Sequence, residues 1–93
     1  MRTFRADDRL FRSNDLITTE LDDETVLMSI EAGSYYGLEG TARKIWNTLE
    51  TPLSFSELME SMVREYRVTG DDLALDLQKF LSEMEQEGLL HVE

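Results

Sequence analysis

The stretch Gly33-Ser34-Tyr35-Tyr36-Gly37-Leu38-Glu39-Gly40-Thr41-Ala42-Arg43-Lys44-Ile45-Trp46-Asn47-Thr48-Leu49 decides the fold. Its aromatic first part, which ends at Gly37-Leu38, predicts a short strand. A helix follows after one turn, because Ala42, Ile45, Trp46 and Leu49 recur at a spacing that places them on one helical face. A strand that leads directly into a helix with the only tryptophan predicts that sheet and helix pack together.

Three strands are predicted in this part of the chain. They are expected at Leu16–Leu21, Thr25–Ile30 and Tyr35–Leu38, with turns at 22–24 and 31–34. The first strand is rich in β-branched residues, which favour extended backbone. In the second strand, Val26, Met28 and Ile30 share one face, because strand side chains alternate. Short strands with tight connections predict an antiparallel meander.

Three helices are predicted after the meander. The first covers about residues 41–50 and ends before Pro52. Ser54 and Glu57 fit a capping box for the second helix, whose expected inward residues are Phe55, Leu58, Met59, Met62, Val63 and Tyr66. The third helix follows the capping signal at 69–72, ends at Gly88, and is expected to bury Leu73, Leu77, Phe80, Leu81 and Met84.

The order of these elements predicts the fold class. Residues 89–92 are compatible with a short closing strand. An α+β chain with three strands, three helices and a final strand predicts a winged helix-turn-helix topology, in which the second and third helices form the helix-turn-helix pair.

Residues 1–14 differ in charge from the rest of the chain. They hold four arginines against two aspartates, a charge of +2, and their apolar residues show no clear period. This pattern predicts an extended basic arm with partial order at most, followed by one domain over residues 15–93. Because the whole chain carries −11, this domain carries −13. Such a body repels phosphate backbones and favours neutral or cationic partners.

The composition argues against catalysis by this chain. There is no cysteine, and the single histidine, His91, lies near the end in the predicted closing strand. The serines lie in no nucleophile elbow, the glycines form no phosphate loop, and the acidic clusters lack calcium-loop spacing. We therefore expect no catalytic residue, no metal site and no cofactor. Without a long apolar stretch or an export signal, we also expect a cytoplasmic protein with no membrane partner.

A DNA-binding role is the alternative that the predicted topology raises. Winged helix-turn-helix domains often place their last helix in the major groove. Here residues 71–87 contain one lysine, no arginine and six acidic residues. Asp71, Asp72 and Asp76 lie in the half that would meet the bases. This charge argues against nucleic acid as a partner and makes a winged-helix regulator the less favoured interpretation.

Two features favour a peptide groove instead. The strand at Tyr35–Leu38 ends the meander, and an open strand edge can pair with an extended peptide. Leu75 lies nearly opposite the core face of the third helix, so it is either a lone exposed leucine or part of a groove wall. Tyr35 and Tyr36 likewise either pack on the core and its rim or lie beside a bound peptide.

Several segments together resemble the family of pyrroloquinoline quinone biosynthesis protein D, also known as the RiPP recognition element. This family binds the leaders of ribosomally synthesised and post-translationally modified peptides. The resemblance covers residues 16–92 and rests on Leu27-Met28, Tyr35-Tyr36-Gly37-Leu38, Ile45-Trp46, Phe55-x-x-Leu58, Tyr66 and Phe80-Leu81-x-x-Met84-x-x-x-Gly88-Leu89-Leu90. Relatives often have asparagine directly after the leucine that corresponds to Leu38, where this chain has Glu39.

The resemblance implies a winged helix-turn-helix domain with no activity of its own. It implies that a leader peptide pairs with the third strand and that its side chains enter a cleft between this strand and the third helix. With the open edge and the acidic helix, it places the candidate peptide-binding residues at Gly33, Ser34, Tyr35, Tyr36, Gly37, Leu38, Asp72, Leu75, Asp76 and Lys79.

Two pathways fit the resemblance. Stand-alone members serve lasso-peptide pathways, where a separate leader protease acts, or quinone-cofactor pathways, where the peptide is passed to a radical enzyme. The small size and the Tyr-Tyr-Gly-Leu segment favour the lasso type. We therefore expect a protein that captures a precursor leader and presents it to a leader protease or another modifying enzyme. The arm and the open edge are compatible with a monomer or a swapped dimer.

Overall fold

In the part of the chain that the structure describes, three helices and two small antiparallel sheets make up an α+β fold. The computed structural model describes residues 3–66 and 70–93. In chain order the elements are β1 (Arg9–Arg12), β2 (Leu16–Leu21), β3 (Glu24–Ser29), β4 (Ser34–Leu38), α1 (Gly40–Thr48), β5 (Leu53–Ser54), α2 (Phe55–Tyr66), α3 (Gly70–Gln86) and β6 (Leu90–Val92). The three helices and the closing strand lie where the sequence predicts them, within one or two residues.

The predicted meander is formed by β2, β3 and β4, which pair in this order. In its register, Ile17 lies opposite Met28, and Met28 lies opposite Tyr35. The alternate residues of β3, Thr25, Leu27 and Ser29, are buried. Val26 and Met28 therefore share the outer face, as alternation predicts, whereas Ile30 lies beyond the end of β3 and is exposed.

The N-terminal segment differs from the extended arm predicted for residues 1–14. β1 is the central strand of a second sheet, in the order β5-β1-β6. Leu10 and Phe4 are buried, and the ring of Phe4 stacks on that of Phe55 with centroids 6.1 Å apart. The partners of β1 lie more than 40 residues away in the sequence, so a short strand of this kind has no local pattern that reveals it. Arg9–Arg12 belongs to the folded domain.

The helix ends follow local capping chemistry. At the start of α2, the amide of Ser54 donates to Glu57 Oε1 at 2.8 Å, and the amide of Glu57 donates to Ser54 Oγ at 3.1 Å. This reciprocal pair is the predicted capping box. After α3, Gly88 has φ +77°, which glycine adopts without strain. Thr69, in the predicted cap of α3, lies outside the described residues.

The helices bury the faces that their periodicity predicts. Leu58 and Met62 of α2 pack in one core with Leu77 and Leu81 of α3. The remaining predicted inward residues are buried or half-buried against this core: Phe55, Met59, Val63, Leu73, Phe80 and Met84. The side chain of Tyr66 is outside the described part of the chain. Burial of these apolar faces holds the helices against the sheets.

The capping box gives a stability prediction. We expect Ser54→Ala to lower the free energy of unfolding by about 0.5–2 kcal/mol, because the amide of Glu57 loses its acceptor.

The hydrogen bonds from Ser54 also hold the pKa of Glu57 below its usual value. That contribution is present above the pKa of the unfolded chain and is lost as the pH falls through the folded pKa. Urea denaturation as a function of pH measures both effects.

Glu57→Gln is the matched control for the pH effect, since glutamine keeps an acceptor but does not titrate. Between about pH 5 and pH 3, the stability of the wild type should fall more steeply than that of Glu57→Gln. Parallel curves would show that the charge of Glu57 contributes nothing to the cap.

Candidate functional site

A groove of about 380 Å³ lies between β4 and α3. β4 contributes its segment Tyr35–Leu38, and the opposite side comes from the second half of α3 and the residues after it. The lining residues are Tyr35, Tyr36, Gly37, Leu38, Phe80, Glu83, Met84, Glu87 and Leu89. The groove is thus bounded by strand backbone on one side and by helix side chains on the other.

The strand side of the groove has an open edge. β4 is the last strand of its sheet, so within the described residues only β3 pairs with it. The carbonyl of Ser29 accepts the amide of Gly33 at 2.8 Å across the turn between these strands. The backbone of Ser29 is therefore directed toward β4, and Ser29 and Ser34 form a hydrogen-bonded pair.

Alternation along the ladder then identifies the backbone groups at the open edge. Hydrogen-bonded and non-hydrogen-bonded pairs alternate in an antiparallel ladder. Tyr36, which lies opposite Leu27 in the register, directs its backbone toward β3. Tyr35 and Gly37 are in the non-hydrogen-bonded pairs, so their amides and carbonyls point away from β3. These two residues present the donors and acceptors that an added strand would use.

The helix wall of the groove combines apolar and acidic side chains. Phe80, Glu83 and Met84 are three or four residues apart, which places them on one face of α3. Glu87 follows α3 and continues this face, because its amide donates to the carbonyl of Glu83 at 3.0 Å. Phe80 and Met84 also pack on the core, and Leu38 continues this apolar floor. Glu83 and Glu87 are exposed at the rim. The groove can therefore accept an apolar side chain beside a cationic one.

One hydrogen bond spans the groove. Tyr36 Oη donates to Glu87 Oε2 at 2.7 Å and connects β4 to the residue after α3. The bond to this carboxylate raises the pKa of Tyr36, because ionisation of the phenol would remove the donated proton. The side chain of Tyr36 is thereby held in the groove, whereas Tyr35 lies on the outer face of the sheet and is 72% exposed.

The structure brings only some of the predicted site residues together. Tyr35, Tyr36, Gly37 and Leu38 line the groove. Gly33, with φ +68°, and Ser34 lie at the turn into β4. The four predicted residues on α3 are exposed and are not among the residues that line this groove: Asp72, Leu75, Asp76 and Lys79.

Phe80 and Met84 form the apolar side of this groove, and Leu75, the wall that the sequence predicts, is not among its lining residues. Leu75 precedes Phe80 by five residues, which is about 140° around a helix, so it faces away from the groove and is 66% exposed. Asp76 precedes Phe80 by four residues and continues the groove face by one turn. The apolar periodicity of α3 includes Phe80 and Met84, but it predicts only that they are buried in the core.

Neither a candidate metal cluster nor a helix that could span a membrane is present among the described residues. They contain no group of three or more histidine, aspartate or glutamate side chains that could hold a metal ion. None of the helices in the described part of the chain is long and apolar enough to cross a bilayer.

Fold and groove together define a class: a small α+β domain in which the open edge of a meander borders a helix. The family model described as coenzyme PQQ synthesis protein D (PqqD) matches residues 24–90. The chain therefore belongs to the PqqD family, the family of RiPP recognition elements that its sequence resembles.

A solved structure is similar over most of the chain. It is described as TbiB1 in complex with the TbiA(beta) leader peptide. The two chains are 30% identical and superpose with a TM-score of 0.81, over 87% of this chain and 94% of that chain. No curated protein sequence matches the chain at a comparable level of significance.

Proposed function

We propose that this chain captures the leader of a ribosomally made precursor peptide by strand addition to β4 and presents it to a modifying enzyme. The observation that carries the proposal is the open edge of β4 beside a groove, in a chain similar to a protein solved with a leader peptide. The chain itself acts as a binding protein without catalysis, cofactor or metal.

Binding has two parts in this proposal. An extended peptide pairs with the outward backbone groups of Tyr35 and Gly37, which supplies affinity that depends little on sequence. Alternate peptide side chains then enter the groove against Phe80 and Met84. Burial of one large apolar side chain there contributes roughly 1.5–3 kcal/mol, so the groove supplies the sequence preference.

We assign the chain to a lasso-type pathway, with a leader protease as the enzyme that receives the peptide. The likeness to TbiB1 and the Tyr35-Tyr36-Gly37-Leu38 segment support this branch. The PqqD family match keeps the quinone-cofactor branch, with a radical enzyme as receiver, as the alternative. As part of the same proposal, α2, α3 and β6 form a winged helix-turn-helix.

The charge of α3 supports a peptide rather than a nucleic acid as the partner. The exposed residues Asp72, Asp76 and Glu83 lie along its length, with Lys79 as the one basic residue of the helix. Specific and non-specific DNA binding both draw on lysine and arginine contacts to phosphate. An acidic helix in the position of a recognition helix therefore disfavours a transcriptional role.

Backbone methylation of the ligand tests strand addition. Peptides that bind the purified protein are selected from a display library that includes the TbiA(beta) leader, and each residue of the best binder is then N-methylated in turn. We expect saturable one-to-one binding by fluorescence anisotropy and a loss of at least about tenfold at every second residue, because only alternate amides face β4.

The same peptide with scrambled sequence is the control for non-specific binding. A loss that is uniform along the peptide, or confined to consecutive residues, would contradict strand addition. The absence of any saturable binder would contradict peptide capture itself.

A further inference from the structure

We propose that the groove selects peptides with a lysine or arginine two residues from an apolar side chain, and that Glu83 and Glu87 read this basic residue. The inference rests on the proposed function and specifies the class of peptide. Phe80 and Met84 line the groove beside these two carboxylates. One wall therefore offers an apolar contact and a negative charge side by side.

Neither carboxylate is neutralised by a basic side chain in the described part of the chain. The ion pairs there join Arg43 to Glu20 and Lys44 to Glu65, away from the groove. Glu87 accepts a hydrogen bond from the neutral hydroxyl of Tyr36, which orients the carboxylate and leaves its charge in place. Because the domain is strongly acidic as a whole, a cationic ligand is also attracted over a longer range.

The spacing of the wall sets the spacing in the peptide. Glu87 follows Glu83 by four residues, and its amide donates to the carbonyl of Glu83 at 3.0 Å, so the two residues are about 6 Å apart along the helix axis. In an extended peptide, two successive side chains on the same face are about 6.5–7 Å apart. One such side chain can contact Phe80 or Met84 while the next reaches a carboxylate. The pattern is therefore apolar-x-basic, or the same pattern in reverse.

The two contacts differ in size. An exposed ion pair changes an affinity by up to about fivefold and weakens with salt. The apolar contact contributes more and resists salt. Among peptides that all carry a suitable apolar residue, those with the basic residue are therefore bound with higher affinity.

Selection and charge reversal test the inference. Random short peptides are selected by display against the wild type, against Glu83→Lys, and against Glu60→Lys. Glu60 is exposed on α2 and lies outside the groove, so its replacement makes the same change in net charge. Melting temperatures establish that each variant folds. We expect apolar-x-basic peptides from the wild type and Glu60→Lys, and peptides without the basic preference from Glu83→Lys, because Glu87 then faces a lysine.

Affinities of a matched peptide pair give the quantitative result. Replacement of the selected lysine by glutamate should weaken binding to the wild type at low salt, with a smaller effect at high salt. Glu83→Lys should remove most of the difference between the two peptides. Peptides selected by the wild type without a basic preference, or an unchanged difference between the two peptides in Glu83→Lys, would overturn the inference and leave peptide capture standing. A failure to select any peptide would overturn both.

Discussion

Replacement of Trp46 by alanine is expected to lower the free energy of unfolding by about 3–5 kcal/mol. The indole is 1% exposed in the core. Its ring also supports Arg12, whose guanidinium carbon lies 4.6 Å from the ring centroid. Arg12 Nε donates to the carbonyl of Trp46 at 3.0 Å, so the same contact joins α1 to the end of β1. Equilibrium denaturation in urea measures the loss, which is a large share of the stability of so small a domain.

Trp46→Phe is the control that keeps an aromatic ring in the core. Trp46 Nε1 is buried and has no hydrogen-bond partner among the described residues. Phenylalanine therefore removes an unsatisfied donor together with part of the ring volume, and we expect a cost of about 1–2 kcal/mol. A loss below about 1 kcal/mol for Trp46→Ala would show that α1 does not pack where the structure places it.

Tyr35→Pro is expected to weaken peptide binding by at least about tenfold while the domain stays folded. The amide of Tyr35 points to the open edge, so proline removes a donor for the peptide but none that β4 gives to β3. One lost backbone hydrogen bond and the misfit of the ring account for this size of effect. Anisotropy titration measures the affinity, and circular dichroism establishes that the fold is retained.

Thr18→Pro is the matched control on the opposite edge of the sheet. Thr18 lies opposite Leu27, whose backbone is directed toward β4, so the amide of Thr18 faces the open edge of β2. This variant removes an outward donor of the same kind from β2 and should leave peptide affinity within about twofold. Equal losses from Tyr35→Pro and Thr18→Pro would show that the peptide does not use the edge of β4.

The meander and the helices could be predicted because their signals are local. The two-residue turn at Asp22, the capping box at Ser54 and the terminating Gly88 each depend on neighbouring residues alone. The second sheet depends on contacts between distant segments. Leu10–Arg12 pairs with Leu90–Val92, and neither segment has a periodicity that specifies its partner.

The sequence predicts the strand that borders the groove, but none of the four residues that it proposes on α3 lines the groove. The segment Tyr35–Leu38 was found because it ends the meander. On α3, apolar periodicity separates buried from exposed faces, but it does not show that Phe80 and Met84 contribute to both core and groove. The sequence favours Leu75 as a groove residue because this leucine departs from the apolar pattern of the core face. Which exposed face borders β4 depends on the packing angle of the helix, which no local pattern specifies.

A peptide titration followed by NMR tests the central claim most directly. Labelled protein is titrated with a selected peptide, and amide shifts are mapped on the structure. We expect the largest changes at 34–38 on β4 and 80–89 on α3 and the residues after it, with new protection from hydrogen exchange at the amides of Tyr35 and Gly37. Changes confined to β1, or to the face of α3 that contains Leu75, would contradict capture at the β4 edge.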